Sequence, residues 1–93
     1  MRFEWDDAKA AANLRKHRVS FDEAAEVFFD PYAFGDYDSE HSDDEARFFI
    51  VGMSGRRMLY VVYAERAGDV VRVISARRAK KLERKIYGQE RNT

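Results

Sequence analysis

The stretch ARFFIVGMSGRRMLYVVYA, from Ala46 to Ala64, decides how the chain folds. Its two halves, Ala46 to Met53 and Arg57 to Ala64, are rich in aromatic and β-branched residues, the side chains that suit a pleated, half-buried surface. Ser54-Gly55-Arg56 between them is short and carries a glycine, so the two runs read as strands of one hairpin. Downstream, Ala67-Gly68-Asp69 is a second turn signal, and Val70 to Ala76 a third strand. Ala79, Leu82 and Ile86 then take helical spacing for a closing helix.

Upstream, Arg2 to Trp5 alternates enough for a short strand, and Asp6 or Asp7 offers an N-cap to an Ala-rich helix over Ala8 to Lys16 that ends near His17. Ser20 and Glu23 form an S-x-x-E capping box, with Val19 and Ala24 placed as a hydrophobic staple. Phe21, Ala24, Ala25 and Phe28 give that second helix one apolar face, and Asp30-Pro31 stops it. From Ala33 the period changes to two. A lone hairpin is marginal in water, whereas three or more strands with helices laid on one face make a core. The expected architecture is α+β: a small antiparallel sheet of three to four strands, two N-terminal helices and a C-terminal helix, as one domain over residues 1–93. The expected core is Phe28, Phe48, Ile50, Leu59, Val61, Tyr63, Val71 and Val73.

Composition agrees with a packed globule: 45% of the 93 residues are hydrophobic and 14% aromatic. The chain has no cysteine, which removes disulfides and thiolate metal sites and suits a reducing cytoplasm. Its apolar runs are too short to cross a bilayer, and MRFEWDDAK lacks the apolar centre of a signal peptide, so a cytoplasmic, unexported protein is expected. The net charge of zero conceals segregation. Asp22 to Glu45 holds ten acidic residues and no Lys or Arg, whereas Glu65 to Thr93 holds nine basic residues against four acidic. A basic C-terminal end can meet phosphates, although a solvated helix face accounts for the same composition.

The polar residues each have a plain reading. Lys16-His17 can simply complement a helix dipole, Glu45 and Arg47 can form a surface ion pair on one side of the pleat, and Arg77 to Arg84 can be a solvated charge run. Asp36, Asp38 and Glu40 alternate as calcium ligands do, but His41 stands where the loop needs glycine and the spacing onward to a bidentate Glu does not match. No phosphate loop, zinc signature or nucleophile elbow is present. The expectation is no metal and no cofactor. The residue types suit one reaction class, metal-free RNA cleavage: a base for the 2′-hydroxyl, cations for the phosphorane, and an acid for the leaving 5′-oxygen. The same residues populate any charged surface.

Three segments select among these readings. FEWDDAKAAANLRKHRVSFDEAAEVFFDP, EARFFIVG and VVRVISARRAKKLERKIY carry the motifs WD-x-x-K, N-x-x-KH, VSF-x-EA and ISARRA with a later E-x-x-x-Y. Together they resemble the BrnT toxins of bacterial type II toxin–antitoxin systems over nearly the whole chain. The resemblance implies a RelE-like ribonuclease fold and an activity that cuts RNA and arrests growth. It also implies a BrnA-like antitoxin, a DNA-binding protein of ribbon-helix-helix type, through which alone the complex meets operator DNA. The family commonly has glycine where this chain has Arg18, a substitution worth about 1 kcal/mol if the helix exit is left-handed.

The polar positions that match are Lys16, His17, Glu45, Arg47, Arg77, Arg78, Glu83 and Tyr87. Assigned by chemistry, Arg77 and Arg47 stabilise the transition state and His17 or Glu45 exchanges protons, with Tyr87 completing the catalytic set. Lys16, Arg78 and Lys80 hold RNA phosphates. The competing expectation is a non-catalytic module that acts only through its partner in an operator-bound complex.

Overall fold

The computed structural model describes residues 1–41 and 45–91, so Ser42 to Asp44 of the acidic run lie outside it. The central hairpin forms as its sequence dictates. Strand β3 (Phe48–Ser54) pairs antiparallel with β4 (Arg57–Arg66), and the loop tightens to two residues because Ser54 pairs with Arg57. Gly55 takes φ +59° at the first of those two positions, where a hairpin turn favours glycine. Strand β5 (Val70–Arg78) pairs antiparallel with β4 through the second turn.

The sheet is larger than the expected three to four antiparallel strands. Among the described residues it has five, in the order β1-β5-β4-β3-β2, and it is mixed. β2 (Phe34–Tyr37) adds antiparallel to β3, while the N-terminal β1 (Arg2–Glu4) adds parallel to β5, pairing Phe3 with Val71. Short-range pattern cannot assign that pairing, because the two N-terminal helices and strands β2 to β4 all intervene between the two strands. Two further contacts hold β1 in place: Arg2 N–H donates to the Asp69 carbonyl, and the terminal ammonium of Met1 lies 3.1 Å from the Asp69 carboxylate.

Helix α1 (Asp7–His17) begins at Asp6, whose carboxylate accepts from the Ala8 N–H, and leaves through Arg18 in the left-handed region at φ 60°. Helix α2 (Phe21–Glu26) has the expected capping box, with Ser20 Oγ accepting from Glu23 N–H and Glu23 accepting from Ser20 N–H. It tightens into a 3-10 turn at Val27–Phe29, before Asp30. Helix α3 (Lys81–Arg91) closes the chain.

One face of the sheet makes the core. Leu59, Val61, Val71, Val73 and Ala76 pack there against Val19, Phe21, Ala24 and Val27, with Phe28, Ile50 and Tyr63 partly buried beside them. Phe48, expected in the core, is half-buried at its margin, stacked on Tyr63 at 5.7 Å. The opposite face carries Phe34, Phe49, Tyr60, Val62, Ser75 and Arg77, as the pairing register requires. The register of β4 and β5 steps from Val62–Ser75 to Tyr63–Val73, leaving Ile74 as an extra residue. That bulge puts Val73 on the core side and both Ser75 and Arg77 on the open side.

Candidate active site

β1 stops at Glu4, opposite Arg72, which leaves the outer edge of β5 without a strand beyond that point. Asn13, in the middle of α1, takes over. Its Nδ2 donates to the Ala76 carbonyl at 2.8 Å, its Oδ1 accepts from the Ala76 N–H at 3.1 Å, and Nδ2 also donates to the Val19 carbonyl at 2.9 Å. The carboxamide thus mimics one rung of a β ladder, and it is 8% exposed. His17 is one turn beyond Asn13 on the same helix face, so docking Asn13 on Ala76 brings the imidazole beside Ser75 and Arg77.

Arg77 is held from three sides. Its guanidinium carbon lies 4.0 Å from the centre of the Tyr60 ring, and Tyr60 is itself stacked on Phe49 at 5.2 Å and 8°. Glu83, in the first turn of α3, accepts from both Nη atoms at 2.9 and 2.8 Å, and Nη1 also donates to the Arg78 carbonyl. Glu83 in turn accepts from the Lys80 N–H, which fastens the start of α3 to the same carboxylate. Burial pushes the Glu83 carboxyl up, but the hydrogen bonds from Arg77 and Lys80 and the charge of Arg77 outweigh it, so it lies below the ordinary range. The Tyr60 phenol is raised, first by burial and then by the Asp38 carboxylate, and stays protonated.

These residues line a groove of about 440 Å³ on the open face of the sheet, where His17, Ser75, Tyr60, Arg77 and Lys80 are joined by Asp38 and Glu40. His17, Arg77 and Lys80 are therefore brought together. Lys16 is exposed beside His17, in a shallow cleft next to this groove. Arg78 follows Arg77 on the strand, leaves on the other side of the pleat and lines a different groove, so the two arginines do not face one phosphate.

The structure does not bring Glu45 to His17. Glu45 forms a two-pronged pair with Arg66 at the far end of β4, and that hydrogen bond, with the charges of Arg66, Arg47 and Arg72, outweighs desolvation and lowers its carboxyl. Arg66 is six residues along β4 from Tyr60, about 20 Å at ~3.3 Å per residue. Arg47 precedes β3 on the side of Phe49, and its carbonyl accepts from the Asp38 N–H at 2.8 Å. Tyr87 is 5% exposed; its hydroxyl donates to Asp30 Oδ2 at 2.7 Å, and the same oxygen accepts from the Met53 N–H. It fastens α3 to β3, away from the groove. Among the described residues, no group of three or more His, Asp or Glu side chains is placed to hold a metal.

Sequence reasoning gave no role to Asn13, Tyr60 or Asp38, and placed Glu83 only as a motif match. The four-residue spacing of Asn13 and His17 was the available signal for the first. The cross-strand neighbours of Arg77 are long-range and left none.

The sequence model of one protein family, described as the ribonuclease toxin BrnT of type II toxin–antitoxin systems, matches residues 5–83. That span contains every residue of the groove and ends at Glu83. A search of curated proteins gives no match. Among solved structures, the 1.1 Å crystal structure of the Brucella abortus ribonuclease toxin BrnT superposes with a TM-score of 0.66 at 24% identity, covering 87% of this chain and 99% of that one. At that identity the likeness is one of fold. With more than half of its length matched by the family model, the chain belongs to the BrnT family, the ribonuclease toxins of type II toxin–antitoxin systems.

Proposed function

We propose that this toxin is a metal-independent endoribonuclease whose reaction runs in the groove between His17 and Arg77. The observation that carries the reading is the convergence of an imidazole from the end of α1 and a guanidinium from the end of β5 on one concave surface. His17 takes the proton of a ribose 2′-hydroxyl, and O2′ forms a bond to the adjacent phosphorus. The P–O5′ bond breaks, and O5′ leaves with a proton supplied from the cationic side, where Lys80 stands. The products are a 2′,3′-cyclic phosphate and a 5′-hydroxyl end. Arg77, aimed by Glu83 and Tyr60, meets the negative charge that builds on the phosphorane. Its three hydrogen bonds to Glu83 and the Arg78 carbonyl leave two of its five N–H groups for that purpose.

In this reading Lys16 holds a phosphate beside His17, and Arg47, with Glu45 and Arg66 nearby, holds the RNA farther along the open face. Tyr87 acts through the position of α3. The fold is taken as RelE-like and the protein as cytoplasmic. Its inhibitor is a BrnA-like, ribbon-helix-helix antitoxin that alone contacts operator DNA.

The test is incubation of the purified chain with RNA in EDTA. Cleavage should persist and leave cyclic phosphate ends, and His17→Ala should slow it by about 10²- to 10⁴-fold. A folded protein that leaves RNA intact at every concentration would instead be a binding module.

A further inference from the structure

The reaction groove is poorly equipped to attract RNA. Asp38 and Glu40 line it together with Arg77 and Lys80, and Arg77 is already paired with Glu83. Affinity for a polyanion must come from elsewhere. A second groove, of about 380 Å³, opens where the β3–β4 hairpin meets the start of α3. Four arginines line it, Arg56, Arg57, Arg78 and Arg84, over Met53 and Met58, and among the described residues no acidic one does.

Those arginines divide into two kinds. Arg57 is a structural member: it lies 3.2 Å from the Glu23 carboxylate and donates to the Arg18 carbonyl at 2.9 Å, tying the hairpin to the loop between α1 and α2. Arg56, Arg78 and Arg84 are exposed, and no carboxylate among the described residues pairs with any of them. By contrast Arg57, Arg66, Arg72 and Arg77 each hold a glutamate. In a chain with as many acids as bases, leaving three guanidinium groups unneutralised in one concavity keeps the charge available to a ligand.

We propose that this second groove is a phosphate subsite that holds the backbone of single-stranded RNA outside the reaction centre. The inference rests on the reading of the first groove as the place of cleavage. Arg77 and Arg78 are neighbours on one strand and open onto the two grooves, so an RNA strand leaving the first crosses the end of β5 and enters the second. Arginine suits the task because its planar fork meets phosphate oxygens in pairs. The apolar Met53 and Met58 accept an unpaired base, which a duplex would not present.

The probe is a fluorescent 2′-O-methyl RNA oligonucleotide, which lacks the attacking hydroxyl and so reports binding alone. Arg56→Ala with Arg84→Ala removes two exposed cations without touching Arg57 or the first groove. Losing two contacts at ~0.7 each should make the plot of log affinity against log salt shallower by about 1.4, and weaken binding about 25-fold at 0.1 M salt. The double Lys variant, which retains both charges, should restore the slope. If the wild type binds with this arginine dependence but cleaves nothing, the subsite stands and the catalytic reading fails. If RNA is cleaved and the double Ala variant binds and titrates with salt as the wild type does, the subsite is overturned. Unchanged RNA binding together with lost binding of a poly-glutamate peptide overturns it in favour of an acidic protein segment.

Discussion

At the scale of single residues, the proposed reaction centre depends on how Arg77 is aimed. Its guanidinium is fixed by a two-pronged carboxylate and an aromatic face, so charge alone does not reproduce it. Arg77→Lys should therefore reproduce most of the loss caused by Arg77→Ala, about 10²-fold or more in single-turnover cleavage, with the melting curve little changed. A lysine variant of near wild-type rate would show that Arg77 contributes only charge. Arg18 supplies an independent prediction. A non-glycine residue at φ 60° is strained, and only its backbone carbonyl is used by Arg57. Arg18→Gly should raise stability by up to about 1 kcal/mol in urea unfolding, and a loss of stability would mean that the side chain contributes a contact there.

At the scale of elements, two polar groups join helices to the sheet. Asn13 makes three buried hydrogen bonds, two of them to the backbone of Ala76, so Asn13→Ala leaves buried backbone groups unpaired. We expect a loss of about 2–4 kcal/mol, and a loss of cleavage out of proportion to it because His17 is carried on the same helix. Measurement at a temperature where both proteins are folded separates the two effects; full activity there would sink the positioning role of Asn13. Tyr87 joins α3 to Asp30, which also accepts from the Met53 N–H. Tyr87→Phe removes one hydrogen bond and leaves the ring, for a loss of about 1–2 kcal/mol, and since the residue is away from the groove kcat should hold. A variant that unfolds normally yet no longer cleaves would place the hydroxyl in the chemistry.

At the scale of the whole molecule, charge is arranged in pairs that bridge different segments: Glu4 with Arg72, Glu23 with Arg57, Glu45 with Arg66, and Glu83 with Arg77. The Glu83 and Glu45 carboxyls are both depressed on folding. A depressed carboxyl contributes stability that is fully present above its unfolded value, 4.5, and is lost as pH falls through the lower folded value. Urea midpoints should therefore drop as pH is lowered below about 4.5, and Glu83→Gln should flatten that acid limb. An equally steep limb in the variant would assign the acid sensitivity to other groups.

Local pattern alone carried the hairpin, the capping box at Ser20, the turn at Gly68, the closing helix and the family resemblance, because strand alternation, cap chemistry and turn residues act over a few positions. It also marked His17, Arg77 and Lys80 as chemistry-bearing. What it could not supply was which of them meet. The parallel pairing of β1 with β5, the bulge at Ile74, the Asn13 rung and the Tyr60 platform all join residues far apart in the chain, and a one-residue shift in strand register would have sent Arg77 to the core side instead. Tertiary pairing therefore separated Arg77 from Arg78, tied Glu45 to Arg66 and buried Tyr87 against Asp30. The residues of the site were written in the chain, and their grouping into a groove was decided by long-range register and packing.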